Sequence, residues 1–258
     1  MTNEKPFSGI LICTDFDGTL SADSGIPQRN IDAILDFCQK GGLFTISSGR
    51  DHQFLERKVG GLFNSPLICV NGTRIYDAQN GQVIFSQGMS DDALRSLKSY
   101  MPDSCLGIEV VLEGEPSRGF ISPAEFKISD YEGKSIAKIV TMYQTREENL
   151  KARDILTALF PEYTFGRSFS VGLEQISPLA GKGKCLEILK AHLGAKLTIG
   201  VGDFENDLSM LRQADIACAP SNAIGEIKEI ADYVLCSAEE GALADLIEKL
   251  PDILKQIV

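Results

Sequence analysis

The sequence lacks an excess of positive charge and lacks any long apolar run. Its 25 Lys and Arg residues are outnumbered by 36 Asp and Glu residues, which gives a formal net charge of −11. Nucleic-acid binding relies on clustered Lys and Arg that neutralise phosphates, so we expect no nucleic-acid partner. No stretch approaches the roughly 20 apolar residues of a membrane-spanning helix, and no basic segment followed by an apolar stretch opens the sequence. We therefore expect neither a membrane partner nor a signal peptide.

Cysteine and histidine patterns typical of metal or redox sites are also missing. No two of the seven cysteines form a CxxC pair, and most lie in apolar runs, where Cys behaves as a small buried hydrophobe. This spacing disfavours a cysteine metal site and a disulfide framework, and a reducing cytoplasm is the easier compartment. His52 and His192 are far apart in the chain, which disfavours a zinc site or a histidine-based triad.

What the sequence does have is an alternation of strand-like and helix-like segments at both ends. The apolar runs at residues 10–14, 43–46, 66–70, 197–201, 216–219 and 233–236 have the pattern of buried strands, and helical segments separate most of them. Strands that alternate with helices predict a parallel sheet. The expected fold class is therefore α/β, with a doubly wound parallel-sheet core.

The middle of the chain has a different pattern. Residues 74–76 and 83–85 predict a β-hairpin through Asn80-Gly81. Beyond it we predict strands at 106–112, 119–121, 136–142 and 169–173, and helices at 91–100 and 147–160. About 90 residues of this pattern suffice for a small domain. We predict a core domain of residues 1–85 and 178–258 and an inserted α+β domain of residues 86–177.

Two carboxylates stand directly after the first predicted strand. Asp15 and Asp17 are two positions apart, so in an extended chain they share a face. They lie at the carboxyl end of the strand, where open α/β sheets bind their ligands. Two carboxylates at one place repel each other, and they favour a divalent cation or a shared proton.

Other polar residues are expected at the same edge of the sheet. Ser47 and Ser48 follow the second strand, the group Asp203, Asn206 and Asp207 follows a late strand, and Lys182 precedes a helix. Carboxylate oxygens suit Mg²⁺, and hydroxyl, ammonium and backbone N–H groups suit phosphoryl oxygens. One bound metal ion and one lysine also reverse the local field of an acidic chain. The set predicts phosphoryl transfer assisted by Mg²⁺.

Four segments together resemble the motifs of the haloacid dehalogenase (HAD) superfamily of phosphohydrolases. They are DFDGT, ISSGR, the lysine of Ala-Gly-Lys-Gly, and GDFENDLSML. The large insertion between the second and third motifs resembles a type IIB cap, which marks the Cof-type subgroup. The resemblance covers essentially the whole chain and implies a Rossmann-like core with an inserted cap domain.

The resemblance also implies roles for the carboxylates. Asp15 is the expected nucleophile that forms an aspartyl-phosphate, and Asp17 is the expected general acid and base. Mg²⁺ is expected on the Asp15 carboxylate, the Asp17 backbone carbonyl and Asp203. Asp207 binds it directly or through water, or alternatively caps the helix that follows.

The phosphoryl group is expected on Ser48, Gly49 and Lys182, with Asn206 orienting the phosphate or Lys182. Ser47 and Lys184 are the alternatives for Ser48 and Lys182. Arg50 and Asn71 also lie at the ends of strands that are expected to face this site. Each has either a functional or a purely structural role. Basic candidates for substrate selection in the insertion are Arg118, Lys127, Lys134 and Arg167, each of which is otherwise an ordinary exposed residue.

The sequence thus predicts a cytoplasmic Mg²⁺-dependent phosphatase that acts on a small phosphorylated metabolite, such as a sugar phosphate or a similar monoester. A phosphomutase on a sugar phosphate is the second hypothesis, and a non-catalytic phosphometabolite-binding protein is the third. The expected assembly is a monomer or a weak homo-oligomer.

Overall fold

The computed structural model describes residues 5–257, and the side chain of Ile257 is outside the description. The helices are α1 Gln28–Gln39, α2 His52–Val59, α3 Asp92–Ser99, α4 Arg146–Leu159, α5 Lys182–Leu193, α6 Leu208–Gln213, α7 Gly225–Ile230 and α8 Ala242–Ile257. The strands are β1 Ile10–Thr14, β2 Leu43–Ile46, β3 Leu67–Cys69, β4 Arg74–Asp77, β5 Gln82–Ser86, β6 Cys105–Leu112, β7 Ile136–Tyr143, β8 Thr164–Phe169, β9 Gly172–Ile176, β10 Leu197–Val201, β11 Ile216–Pro220 and β12 Tyr233–Leu235.

The chain divides into two compact units. The discontinuous unit comprises Met1–Ile84 and Lys182–Val258, and the inserted unit comprises Phe85–Gly181. Among the described residues, no helix combines the length and the apolar character needed to cross a membrane.

The discontinuous unit is built on a five-stranded parallel sheet in the order β12-β11-β10-β1-β2. From β1 the chain passes through α1 to β2 on one side, and from β10 it passes through α6 to β11 on the other. The direction of winding therefore reverses between β1 and β10, which is where ligands bind in such sheets. The predicted doubly wound α/β core is confirmed.

The third predicted strand departs from the regular parallel pattern. β3 pairs antiparallel with β4 and belongs to a three-stranded sheet, β3-β4-β5. It touches the end of β2 through one parallel bridge, between Ser47 and Ile68. Both β4 and β5 occur where the hairpin was predicted.

A side-chain cap and a glycine mark two helix ends in the discontinuous unit. The Asp51 side chain accepts a hydrogen bond of 2.7 Å from the N–H of Phe54 and so caps α2. Gly41, which follows α1, has a φ of +94°, a conformation that glycine adopts without the clash of a Cβ.

The inserted unit is an antiparallel sheet in the order β6-β7-β9-β8, together with helices α3 and α4. Its apolar core is continuous, and Leu97 of α3 and Leu156 of α4 lie in it with Ile139 of β7. A buried ion pair joins Lys138 to Glu174 at 3.0 Å.

In the insertion, one predicted strand is wrong and another has the wrong bounds. Residues 119–121 form only a single bridge, between Ile121 and Ile108. The segment 169–173 is not one strand, because Phe169 ends β8, residues 170 and 171 form the turn, and Gly172 begins β9. Phe169 and Gly172 pair across that turn, and a Cβ on Gly172 would lie 2.0 Å from the Phe169 ring. The missing side chain therefore leaves room for the Phe169 ring against Gly172.

Candidate active site

The carboxylates that follow β1 and β10 meet at the point where the winding reverses. Asp15 donates its N–H to the carbonyl of Val201 at 2.8 Å, which ties the end of β1 to the end of β10. Carboxylate oxygens of Asp15, Asp203 and Asp207 lie within 4.8 Å of one another. The structure thus brings together three of the four aspartates selected from the sequence.

Lys182 lies between two of these carboxylates. Its side chain is fully buried, and Nζ is 2.5 Å from Asp15 Oδ1 and 2.6 Å from Asp207 Oδ1. Burial alone would lower the pKa of Lys182, but the charges and hydrogen bonds of the two aspartates raise it above its ordinary value. The lysine is therefore a fixed cation at the centre of the site. Lys184, the alternative, is exposed and pairs with Glu187.

A glycine allows Lys182 to come this close. A Cβ on Gly183 would lie 2.3 Å from the backbone oxygen of Ser209. The absence of that Cβ lets the first turn of α5 pack directly on α6. Lys182, as the first residue of α5, is thereby held against Asp207.

Asp207 organises the loop after β10. Its Oδ2 accepts hydrogen bonds from the N–H groups of Asp203 and Phe204 at 3.0 and 3.2 Å, while Oδ1 accepts from Lys182. The side chain is 1% exposed. Both of its oxygens are thus engaged within the protein, and its bonds run back to the loop before it rather than forward to cap α6.

Asp203 is held by a residue of the first motif. Thr19 donates its hydroxyl to Asp203 Oδ1 at 2.7 Å. Burial, together with the nearby charge of Asp207, raises the pKa of Asp203 to about 6. Burial likewise raises the pKa of Asp15 well above its ordinary value, although Lys182 opposes this shift.

This donor set fits a divalent cation. Three carboxylates and one ammonium leave two negative charges in a buried volume, and an unbalanced buried charge is unfavourable. Carboxylate oxygens are also the ligands that Mg²⁺ prefers. Burial, which raises the pKa values of Asp15 and Asp203, disfavours their charged forms, and a cation held between these carboxylates would offset that cost.

Asp17 has a different environment from Asp15. Its side chain is 55% exposed and pairs with Arg50, at 3.0 Å from Nε to Oδ2 and 3.3 Å from Nη2 to Oδ1. The Arg50 guanidinium lies over the ring of Phe54, 4.9 Å from its centroid. The Asp17 side chain is not part of the aspartate cluster found among the described residues.

The loop after β2 holds the predicted phosphate-binding residues. Ser48 is 1% exposed, and its hydroxyl accepts a hydrogen bond from the N–H of Arg50 at 3.2 Å. The Ser47 hydroxyl is buried without a hydrogen-bond partner. Asn206 donates to Asn71 Oδ1 at 3.2 Å, so its observed partner is Asn71 rather than Lys182.

Sequence reasoning missed two contacts that shape the loop after β1. One is the bond from Thr19 to Asp203 described above. The other joins Asn222 Nδ2 to the carbonyl of Gly18 at 2.8 Å. Thr19 lay within a recognised motif, whereas nothing in the sequence around Asn222 pointed to this loop.

The family model for haloacid dehalogenase-like hydrolases matches residues 12–247. The chain belongs to this family. The prediction of a HAD superfamily phosphohydrolase, made from four short motifs, is confirmed.

Named relatives are similar to the chain over nearly its whole length. A phosphoglycolate phosphatase of Sulfurisphaera tokodaii is 40% identical over 244 residues, which cover 93% of each protein. The provisionally named phosphatase YkrA of Bacillus subtilis is 27% identical over 260 residues, or 93% of this chain and 97% of that protein. Together with the family match, they confirm the prediction of a phosphatase-type enzyme.

Solved structures share the fold. The chain resembles BT4131, described as a sugar phosphatase of HAD subclass IIB, with a TM-score of 0.78 and 20% identity, over 93% of this chain and 98% of that one. This likeness supports the same architecture, a Rossmann-like core with an inserted α+β domain.

Proposed function

We propose that this HAD-family enzyme is a Mg²⁺-dependent phosphatase that hydrolyses a small phosphorylated metabolite, such as a sugar phosphate or a similar monoester, through an aspartyl-phosphate on Asp15. One observation carries the proposal. Lys182 is buried between Asp15 and Asp207, with Asp203 beside them. This arrangement pairs a nucleophilic carboxylate with a fixed cation and a set of metal ligands.

The first step is attack by an Asp15 carboxylate oxygen on phosphorus. The new Oδ–P bond forms as the bond from phosphorus to the ester oxygen breaks, and Asp17 gives its proton to the departing oxygen. Asp17 is suited to this exchange because its carboxylate is exposed while that of Asp15 is buried. The pairing with Arg50 holds the Asp17 side chain beside the loop after β2.

The second step is hydrolysis of the intermediate. Asp17, now a carboxylate, accepts a proton from water as the water oxygen attacks phosphorus. The Oδ–P bond breaks, inorganic phosphate leaves, and Asp15 is again a carboxylate. The proton that Asp17 gave in the first step is thus replaced in the second.

The phosphoryl oxygens need positive charge and donors. Lys182 supplies the ammonium, and Ser48 and Gly49 are the proposed donors from the loop after β2. A Mg²⁺ ion held by Asp15, Asp203 and the Asp17 carbonyl would add electrostatic stabilisation of the phosphoryl charge. We assign Asp207 to holding Lys182 and the loop after β10, since both of its oxygens already have partners.

The proposed substrate class is inferred from a relative's name and from the shared fold. A relative named phosphoglycolate phosphatase and the fold shared with a sugar phosphatase both favour a small monoester. We assign the choice of substrate to the inserted unit, in the role of a cap. Arg118, Lys127 and Lys134 are exposed there, and Arg118 pairs with Glu115, whereas Arg167 is only 3% exposed.

The test is phosphate release from a panel of monoesters that includes p-nitrophenyl phosphate, phosphoglycolate and several hexose phosphates. We expect activity with Mg²⁺, loss of activity with EDTA, and loss of activity in Asp15→Asn. Full metal-dependent turnover by Asp15→Asn would contradict the mechanism. An isomerised sugar phosphate, formed with a bisphosphate activator present, would instead indicate a phosphomutase. Tight binding without turnover would indicate a binding protein.

A further inference from the structure

A strained turn lies next to the proposed phosphate-binding loop. Val70, Asn71 and Gly72 have consecutive φ values of 52°, 56° and 81°. In residues 5–257, Val70 and Asn71 are the only residues other than glycine with positive φ. Such a conformation is sterically unfavourable for a residue with a Cβ and persists only where surrounding contacts enforce it. We therefore expect this turn to make contacts that keep it in this conformation, beyond reversing the direction of the chain.

The backbone of this turn fixes the loop after β2. Ser48 donates its N–H to the carbonyl of Ile68 at 2.9 Å, and Asn71 donates to the carbonyl of Ser48, also at 2.9 Å. Val70 donates to the carbonyl of Arg50 at 3.0 Å. The loop from Ser48 to Arg50 is thus hydrogen-bonded at both of its ends to the strained segment.

The Asn71 side chain extends this support to the loop after β10. It is 4% exposed for the whole residue, and Oδ1 accepts the hydrogen bond from Asn206. A Cβ on Gly49 would lie 3.3 Å from both Asn71 Oδ1 and Asn71 Nδ2. The amide group therefore packs against Gly49 while it is bonded to Asn206.

The same turn contacts the helix that carries Lys182. Cys185, one turn into α5, donates its thiol to the carbonyl of Gly72 at 3.1 Å. Val70–Gly72 thus bonds to three segments, which hold Ser48, Asn206 and Lys182. The proposed function assigns phosphate binding to Ser48 and Lys182, and the sequence predicts that Asn206 orients the phosphate.

We propose that Asn71 is a positioning residue that locks the Ser48–Arg50 loop to Asn206 and so sets the geometry of the phosphate-binding groups. The inference rests on the proposed function. Misplacing binding groups by about 1 Å can cost on the order of 10²-fold in rate. We therefore expect loss of the Asn71 side chain to impair phosphate binding without unfolding the protein.

Asn71→Gly removes the side chain while it allows the backbone of the turn to keep its conformation. Glycine adopts the left-handed conformation without strain, so we expect a melting temperature within about 4 °C of wild type. We expect kcat/KM for p-nitrophenyl phosphate to fall about 10- to 100-fold, and the inhibition constant for inorganic phosphate to rise. Asn64→Ala is the matched control, because the side-chain amide of Asn64 also joins two segments, through bonds to Phe44 and Gly42 at the other end of β2. It should alter stability and leave kcat/KM within about twofold.

A double-mutant cycle tests the lock itself. If Asn71 acts through Asn206, the variant that combines Asn71→Gly with Asn206→Ala should lose no more than about threefold beyond the worse single variant. Multiplicative losses, or an unchanged phosphate inhibition constant in Asn71→Gly, would overturn the inference. An inactive wild-type enzyme would contradict the proposed function instead, so the two failures are distinguishable.

Discussion

Replacing Lys182 with methionine tests the electrostatic centre of the site. Methionine has a similar length and no charge, so the change removes the ammonium and leaves most of the packing. Lys184→Met is a matched control on the same helix. Lys184 is 52% exposed and pairs with Glu187, which is 55% exposed.

The magnitude follows from the burial of the partners. Asp15 and Asp207 are 8% and 1% exposed, at 2.5 and 2.6 Å from Lys182 Nζ. Breaking a buried ion pair by removing one partner costs about 3–5 kcal/mol. Neutralising one of the carboxyl groups by protonation at pH 7, from an ordinary pKa of 3.8, costs about 4 kcal/mol at 1.36 kcal/mol per pKa unit. The two estimates agree, so we expect Lys182→Met to lower the free energy of unfolding by about 4 kcal/mol.

The assay is urea unfolding of both variants in EDTA, followed by circular dichroism, together with kcat/KM for p-nitrophenyl phosphate in Mg²⁺. Lys184→Met should change the free energy of unfolding by no more than about 1 kcal/mol, as for an exposed ion pair, and should keep its activity. Adding Asp207→Asn to Lys182→Met should recover part of the stability, since it removes a buried charge. The reasoning is refuted if Lys182→Met is as stable as wild type, or if Lys184→Met costs more.

Three further predictions concern the glycine contact, the general acid and the pH dependence of stability. Gly183→Ala should cost about 1–3 kcal/mol, because the new Cβ would lie 2.3 Å from the Ser209 carbonyl, and its kcat/KM should fall. Asp17→Asn should lower kcat about 10²- to 10⁴-fold for alkyl phosphates while the Mg²⁺ concentration at half-maximal activity stays the same. Burial alone would raise the pKa of Asp215, but its bonds to Lys190 and to the segment that starts β10 lower it below 3.8. The stability that Asp215 contributes is therefore present above pH 3.8 and is lost as the pH falls through its lower pKa in the folded protein. Urea unfolding of Asp215→Asn at a series of pH values should not show this loss.

Internal controls accompany these three predictions. Gly225→Ala introduces a Cβ with nothing within 4 Å, so it should not reproduce the loss of activity of Gly183→Ala. The defect of Asp17→Asn in kcat/KM, which reports the first step, should shrink for p-nitrophenyl phosphate, whose leaving group needs little protonation. An equal defect in kcat/KM for all esters would count against the assignment. Equal acid sensitivity of wild type and Asp215→Asn would contradict the third prediction.

The core and the aspartate cluster were predictable because their signals are local. Apolar runs ending on Asp15 and Asp203 identify strands with carboxylates at their ends, and parallel topology then brings those ends together. The winding reverses between β1 and β10, so the two residues become neighbours although 188 positions separate their numbers. The proximity of these two residues could therefore be predicted without knowledge of any tertiary contact.

Other features could not be derived because they depend on which partner a side chain meets. The pairing of Asp17 with Arg50 and the bond from Asn206 to Asn71 join residues far apart in sequence. The positive φ of Val70 is unexpected for a β-branched residue, and only the contacts around it account for it. A pattern in a single sequence contains none of this information.

The errors in the inserted unit have a common origin. Residues 169–173 alternate apolar and small or polar residues, and this period of two is shared by a strand and by a tight hairpin turn between strands. The turn is decided by Gly172 and the Phe169 ring that packs against it. Residues 119–121 have β-like composition, but they pair only through Ile121.

The most direct test of the account is a rapid acid quench of Asp17→Asn during turnover of p-nitrophenyl phosphate with Mg²⁺, followed by peptide mass spectrometry. This leaving group departs with little need of an acid, whereas the second step still needs Asp17 as a base, so the intermediate should accumulate. The account predicts a burst of p-nitrophenolate equal to the enzyme concentration and a phosphoryl group on the peptide that carries Asp15. Continued turnover without a burst and with Asp15 unmodified would contradict it.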